Sequence, residues 1–237
     1  MLEALGYQAL ATTSSGFAFT LGRRDGHVTL DEVAEHTAAL DRATDLPVSV
    51  DLENGYGAEP ESAARAIVRA AEAGAVGGSI EDWDPEGRIY EQGHAVERVA
   101  AAVAAARGLP FTFTLTARAE NLIHGISDLD DTIARLQAYE EAGADVLYAP
   151  GLRSADQVRA VCDAVSRPVN VLALPGLSLA DAFENGAQRL SFGGALTWVA
   201  MKAAADAAAA VRDSGDLSEL AARVPIAEWF ADPADPS

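Results

Sequence analysis

The chain has 237 residues, is 49% hydrophobic, and carries a formal net charge of −19 at pH 7. That apolar share suffices for one large core, while so acidic a surface repels phosphate backbones and anionic lipid, excluding nucleic-acid and membrane partners. No run of 18 apolar residues reads as a membrane span, and no charged-then-apolar leader stands at Met1.

Met1–Gly6 reads as the end of a helix whose preceding strand is missing. A strand over Gln8–Thr12 runs into Ser14, Ser15 and Gly16. A helix over Leu30–Ala43 leads to a strand at Pro47–Asp51, and Pro60–Ala73 to a strand at Gly77–Glu81. Gly93–Arg107 leads to Phe111–Ala117, and Leu129–Ala142 to Val146–Tyr148. Ser154–Ala164 leads to Pro168–Leu172, Leu179–Asn185 to Arg189–Ser191, and a last long helix covers Leu196–Ser214. Helix-to-strand junctions carry Gly6, Gly74, Gly143 and Gly186, the residue type that closes a last helical turn in the left-handed conformation. Alternating helices and strands imply a parallel sheet with helical crossovers. The strands read as too apolar to face water on either side.

Residues 1–237 read as a single domain, with C-terminal helices from about residue 196 onward and an acidic, proline-bearing frayed tail after Phe230. The seven strands fall one short of a closed (β/α)8 barrel, which needs eight. Cys162 is the only cysteine, which excludes an intramolecular disulfide and fits a reducing cytoplasm. Lys202 is the only lysine, so Schiff-base chemistry on a central strand has almost no candidate.

In a barrel, catalytic groups stand at the C-terminal ends of strands. Asp51 and Glu53, one residue apart, converge on one side and repel unless a cation or proton sits between them. Glu81 and Asp82 end the next strand, and Arg118 and Glu120 the one after. Oxygen ligands without cysteine or histidine suit Mg²⁺ or Mn²⁺. Asp51, Glu53 and Glu81 together read as a metal site, whereas Asp82 and Glu120 read as caps or ion-pair partners. Spacing leaves Arg118 open between a structural ion pair and bidentate binding of a substrate carboxylate. His27, His36, His94 and His124 show no ligand spacing and read as surface or loop residues. Cys162 reads as core.

The segments Ala11–Gly16, Asp51–Gly57, Gly78–Asp82, Thr116–Glu120, Glu141–Asp145 and Pro168–Leu172 resemble, in order, the isocitrate lyase/phosphoenolpyruvate mutase superfamily in its short bacterial branch. The resemblance implies an α/β fold, a (β/α)8 TIM barrel of that type whose first strand is missing from this chain. It also implies a homo-oligomer, a dimer of dimers exchanging the last barrel helix. By that resemblance Asp51 binds Mg²⁺ directly, and Glu53, Glu81 and Asp25 hold it partly through waters. Ser15, Gly16 and Phe17 bind the substrate carboxylate and oxyanion, Arg118 clamps a carboxylate or phosphonate, and Asn170 lines the pocket floor. Ser15, Glu81 and Arg118 are the implied catalytic residues.

The departures from the family narrow the reaction. The lid after Asp82 is Trp83–Tyr90, without the cysteine, lysine and histidine of the isocitrate lyase loop or the lysine and asparagine of the mutases; Arg88 or Tyr90 is left to supply a lid contact. Ala173 replaces the lyases' glutamate. The expected activity is a cytoplasmic Mg²⁺-dependent lyase or decarboxylase, cleaving a C–C bond in a small 2-oxo or 2-hydroxy carboxylate through a metal-stabilised enolate. The alternatives are a P–C mutase and a non-catalytic carboxylate binder.

Overall fold

The computed structural model describes residues 1–229, so the tail after Phe230 lies outside the described residues. Strand β1 (Leu10–Ala11) is followed by a short helix α1 (Ser14–Thr20), then α2 (Leu30–Asp41) and β2 (Val48–Asp51). Helix α3 (Pro60–Glu72) leads to β3 (Gly77–Glu81), and a small antiparallel hairpin follows, β4 (Trp83–Asp84) with β5 (Arg88–Ile89). Then come α4 (Gln92–Arg107), β6 (Thr114–Arg118), α5 (Leu129–Glu141), β7 (Val146–Tyr148), α6 (Ala155–Ala164) and β8 (Val169–Leu172). Helix α7 (Leu179–Glu184), β9 (Arg189–Ser191), α8 (Ala195–Ser214), a 3-10 turn at Ser218–Ala221 and α9 (Ile226–Trp229) complete the described chain.

The seven long-range strands form one parallel sheet in the order β1-β2-β3-β6-β7-β8-β9. The sheet curls into a nearly closed barrel. Its two edges approach each other through Tyr7 against Phe192 and Phe19 against Trp198, edge-to-face pairs with centroids 5.9 and 5.0 Å apart. All seven strands stand where the sequence implies them. The β6 strand starts at Thr114 rather than Phe111, which is 41% exposed.

Local chemistry explains the helix boundaries. Thr29 and Glu32 form a reciprocal capping box on α2, as Ser178 and Asp181 do on α7. The four junction glycines all have positive φ, between 88° and 104°. At Gly74 the requirement is steric as well, since a Cβ would lie 2.3 Å from Asp41 Cγ. The core fills the space between sheet and helices in two clusters, one around Val50, Leu52, Ile67 and Phe113, the other around Leu136, Tyr139, Leu147 and Val171. Ala63, Ala66 and Ala70 of α3 and Ala95, Ala102 and Ala106 of α4 are buried, and their small side chains let these neighbouring helices pack closely. Cys162 packs against the second cluster, and burial pushes its thiol up to about 11, as suits a core residue.

Two expectations need correction. Ser14, Ser15 and Gly16, read only as following the first strand, open a helix, α1, that the sequence reading did not include. Their intrinsic helix preference is weak, and tertiary contacts with β2 override it. The strands are not apolar on both sides either, because the face turned into the barrel carries charged and polar side chains near its C-terminal mouth. Among the described residues no helix is long and apolar enough to cross a membrane.

Candidate active site

Parallel pairing places partner residues on the same side of the sheet. One inward row therefore runs Glu81, Arg118, Tyr148, Asn170 and Arg189, each opposite the next. The row beneath begins with Asp51, Ser79 and Thr116. Asp51, Glu81, Arg118 and Tyr148 each end their strand, which puts them at the mouth.

Arg118 organises the rim. Its Nη1 donates to Asp51 Oδ1 at 2.8 Å, its Nη2 lies 3.0 Å from Glu81 Oε2, and its Nε donates to Glu120 Oε1 at 2.9 Å. The guanidinium also stands 5.5 Å from the centre of the Tyr148 ring. Burial works against its charge, but Glu120, Glu81 and Asp51 more than offset it and hold its pKa well above the ordinary value. The same guanidinium, opposing its burial, holds Glu120 below the usual range. Glu81 is pushed well up by burial, with Glu120, Asp51 and Glu53 adding to the effect against Arg118.

Asp51 is further held by the backbone. Its Oδ2 accepts from Ser14 N at 3.1 Å, at the start of α1, and its own N–H donates to Thr12 Oγ1 at 2.9 Å. Glu53 sits in the left-handed region at φ 47°, in the turn between β2 and α3, and accepts from Tyr56 Oη at 3.3 Å. Asp25 lies on the exposed loop before α2, close enough for its charge to act on Glu53. The structure thus brings Asp51, Glu53 and Glu81 together, with Asp25 at the outer edge. Beside Glu53 opens a cleft of about 370 Å³, bounded also by Tyr56, Asp84 and Tyr90.

A hidden cation holds the turn that carries Glu53. Arg98 of α4 is 1% exposed and donates to the backbone carbonyls of Asn54, Gly57, Ala58 and Glu59. Its guanidinium lies 4.8 Å from the centre of the Tyr90 ring, whose hydroxyl accepts from Asn54 Nδ2 at 3.0 Å. Gly55 in the same turn has φ 78°, and a Cβ there would lie 2.8 Å from Ala63 Cα. The turn is thereby fixed from both sides in a conformation unfavourable for Glu53 and Tyr56.

The other implied residues fall as follows. Ser15 Oγ is 3.1 Å from Thr13 Oγ1 and faces the close approach of Gly194. Gly16 is buried in the first turn of α1. The Phe17 N–H is engaged by Thr13 O at 3.0 Å, and its ring stacks on His36 with centroids 4.2 Å apart. Asn170 is 1% exposed; its Nδ2 donates to Ser191 Oγ at 3.1 Å. Asp82 and Glu120 are ion-pair partners as read: Asp82 accepts from Tyr139 Oη at 2.5 Å, Arg135 Nη1 at 3.2 Å and Glu120 N at 2.8 Å. Of the lid residues, Arg88 is spent on Asp84 and Glu86, and Tyr90 borders the cleft.

Two residues escaped the sequence reading, and a third, read correctly as a surface or loop residue, makes a contact that the sequence did not signal. Arg98 sits mid-helix with nothing to mark it, and Arg189 begins its strand rather than ending it. His124 lies flat on Trp83 of the hairpin, centroids 3.5 Å apart, with Nε2 3.5 Å from Glu120 Oε2. No periodicity signals that contact, which joins a loop to a hairpin.

Whether this rim suits a metal can be judged on its donors. They are all oxygens; three carboxylates (Asp51, Glu81, Glu120) share one guanidinium and Glu53 stands nearby without one, so the rim holds surplus negative charge. That composition fits a hard divalent cation. Among the described residues no three acids, histidines or cysteines already enclose one, because Arg118 occupies the centre of the group.

The surplus has a measurable consequence. Burial, with Asp51 and Asp25 adding to it, pushes Glu53 up to about 7 from an ordinary value of 4.5. The folded protein therefore binds a proton that the unfolded chain has already released. The stability this supplies is complete below about pH 4.5 and is lost as pH rises through about 7, on the order of 3 kcal/mol. Glu53→Gln should flatten that dependence: its urea midpoint should change less between pH 5 and 8 than the wild type's. Equal slopes would assign the proton to another group.

Comparison with known proteins places the fold and the family. The family profile described as phosphoenolpyruvate phosphomutase matches residues 1–212. An oxaloacetate decarboxylase from Paraburkholderia xenovorans is 35% identical over 231 residues, covering 92% of this chain and 75% of that one. The crystal structure of a lyase/mutase-type protein from Burkholderia cenocepacia J2315 superposes with a TM-score of 0.93 at 52% identity, over 98% of this chain and 86% of that one. The crystal structure of a 2,3-dimethylmalate lyase superposes with a TM-score of 0.84 at 25% identity, over 96% and 83%. A matched profile spanning most of the chain, relatives that are lyases and mutases, and a shared barrel make this protein a lyase-like enzyme of the phosphoenolpyruvate phosphomutase family, within the isocitrate lyase/phosphoenolpyruvate mutase superfamily.

Proposed function

We propose that the protein is a Mg²⁺-dependent lyase that cleaves a C–C bond in a small 2-oxo or 2-hydroxy carboxylate. The observation that carries this reading is the gathering of Asp51, Glu53 and Glu81 at the mouth with more negative charge than Arg118 neutralises. Asp51, Glu53, Glu81 and Asp25 would hold the cation. When bound, it supplies Lewis-acid stabilisation of the oxyanion that develops beside the substrate carboxylate.

The chain's own residues do the rest. Ser15 and Gly16, at the start of α1, present a hydroxyl and N–H groups toward an oxyanion, and Phe17 closes that side. Asn170 lines the floor. Arg118 keeps the carboxylates gathered and clamps the substrate carboxylate in exchange for one of them. In a 2-oxo acid, cleavage leaves the electron pair on the carbon beside the 2-oxo group, which then takes up a proton; in a 2-hydroxy acid the hydroxyl gives up its proton and becomes the carbonyl while the departing carbon takes the pair and is protonated. The buried, protonatable Glu81 stands at the rim to give or take that proton. The lid hairpin, with Trp83 on His124, limits the entry of water.

The working form is a homo-oligomer, a dimer of dimers, in the cytoplasm. Its support is α8, which buries none of its twenty residues and exposes Leu196, Trp198, Val199 and Met201, a face suited to a second copy. The reaction is tested by turnover of oxaloacetate, 2-methylisocitrate, 2,3-dimethylmalate and phosphonopyruvate, with Mg²⁺ and with EDTA. Metal-dependent C–C cleavage of one of the first three is the expected result. Turnover of phosphonopyruvate alone would make it a P–C mutase, and tight binding without turnover a carboxylate binder.

A further inference from the structure

Two guanidinium groups enter the barrel, and they differ in their counter-charges. Arg118 faces three carboxylates. Arg189, in the same inward row, faces none: among the described residues no acid lies within 4.0 Å of it. Its Nε donates to Asn170 Oδ1 at 2.9 Å and its Nη2 to Thr116 Oγ1 at 2.9 Å. Those two acceptors fix the plane of the guanidinium, and both are 1% exposed. Among the described residues Nη1 has no protein acceptor. Burial pushes the Arg189 pKa down, the mark of a charge removed from water without a compensating anion. In a chain with 36 acidic side chains and 17 basic ones, such a site is not short of acids by composition.

A mostly buried cation held only by neutral oxygens is costly unless an anion joins it. We infer that Arg189, held by Asn170 and Thr116, is the receptor for a second anionic group of the substrate. Oxaloacetate, 2-methylisocitrate and 2,3-dimethylmalate all carry such a second carboxylate, and Arg189 is the residue that receives it. The first carboxylate and its neighbouring oxygen go to the acidic rim, and the second goes to Arg189 at the other end of the same inward row. A cationic receptor stabilises a carboxylate relative to neutral CO₂, so the group that reaches Arg189 is retained through the reaction, not expelled. This assignment rests on the lyase reading for the placement of the first carboxylate. It adds to that reading the residue that receives the second carboxylate.

The test compares two ligands that differ by one carboxylate, malate and lactate. Isothermal titration is done on the full chain with saturating Mg²⁺ and again with EDTA, for the wild type, Arg189→Met and Arg189→Gln. Gln retains donors for Asn170 and Thr116 without the charge, so it serves if Met does not fold by far-UV circular dichroism. The wild type should prefer malate, and both variants should lose about 30-fold or more of malate affinity while lactate affinity stays within about threefold. An unchanged malate-to-lactate ratio in the variants overturns the assignment, as does a wild type that binds the two equally or binds neither. Metal-dependent C–C cleavage with an Arg189-independent ratio would leave the lyase reading standing and remove this one. A malate preference that vanishes in the variants, in a protein that turns over nothing, would do the reverse.

Discussion

Arg118→Met is expected to destabilise the protein by about 3–5 kcal/mol at pH 8, the cost of leaving buried charges without their partner. The guanidinium side chain is 15% exposed and joins Asp51, Glu81 and Glu120 within 3.0 Å, so its removal leaves those acids facing one another. The pH dependence follows by sign. Glu81 already holds its proton far above the ordinary range and will hold it more tightly without Arg118, so the variant should regain stability as pH falls. Glu120 is the opposite case. Its lowered value contributes stability above the unfolded pKa, lost as pH falls through the folded one, and that contribution disappears with Arg118. Urea denaturation followed by circular dichroism at pH 5.5 and 8 measures the balance, and Mg²⁺ should restore more stability to the variant than to the wild type. A variant as stable as the wild type at pH 8 would mean that the three carboxylates do not share one low-dielectric site.

Asp51→Asn should lower metal-dependent turnover by about 10²–10³-fold and abolish the extra thermal protection that Mg²⁺ gives together with oxalate, an enolate mimic. The asparagine oxygen can still accept from Ser14 N, so α1 should keep its place and the loss should not be one of folding. Differential scanning fluorimetry with Mg²⁺, oxalate, both and neither reads the coupling directly. The assignment of Asp51 to the cation is wrong if the variant shows the wild-type shift with both present. Arg118 and Asp51 together separate two roles, since the first should act on stability and on affinity for the substrate carboxylate, and the second mainly on metal response.

Much of the framework was legible from residue order. Glycines at helix ends and apolar runs four to five residues long mark strand and crossover, because helix termination and strand burial depend on nearest neighbours. Asp51, Glu53 and Glu81 stood out for the same reason, as acids where an apolar strand should end. Helix α1 did not, since Ser14, Ser15 and Gly16 are poor helix formers and their helix rests on contact with Asp51 from another element. Arg189 was passed over because the barrel's stagger sets the first residue of β9 level with the last of β7. The stack of His124 on Trp83 joins segments about forty residues apart and has no local signature.

Residue order alone therefore settled the alternation of elements, the acidic character of the mouth and the family, all of which are properties of short segments. Only the folded chain decided which charges meet. Arg118 shared among three carboxylates, Arg98 hidden among four carbonyls, and Arg189 left facing neutral oxygens arise from side chains on different strands and helices converging in a low-dielectric interior. Electrostatic energy there depends on separations of a few ångströms, and those separations are set by register and shear rather than by neighbours in the chain.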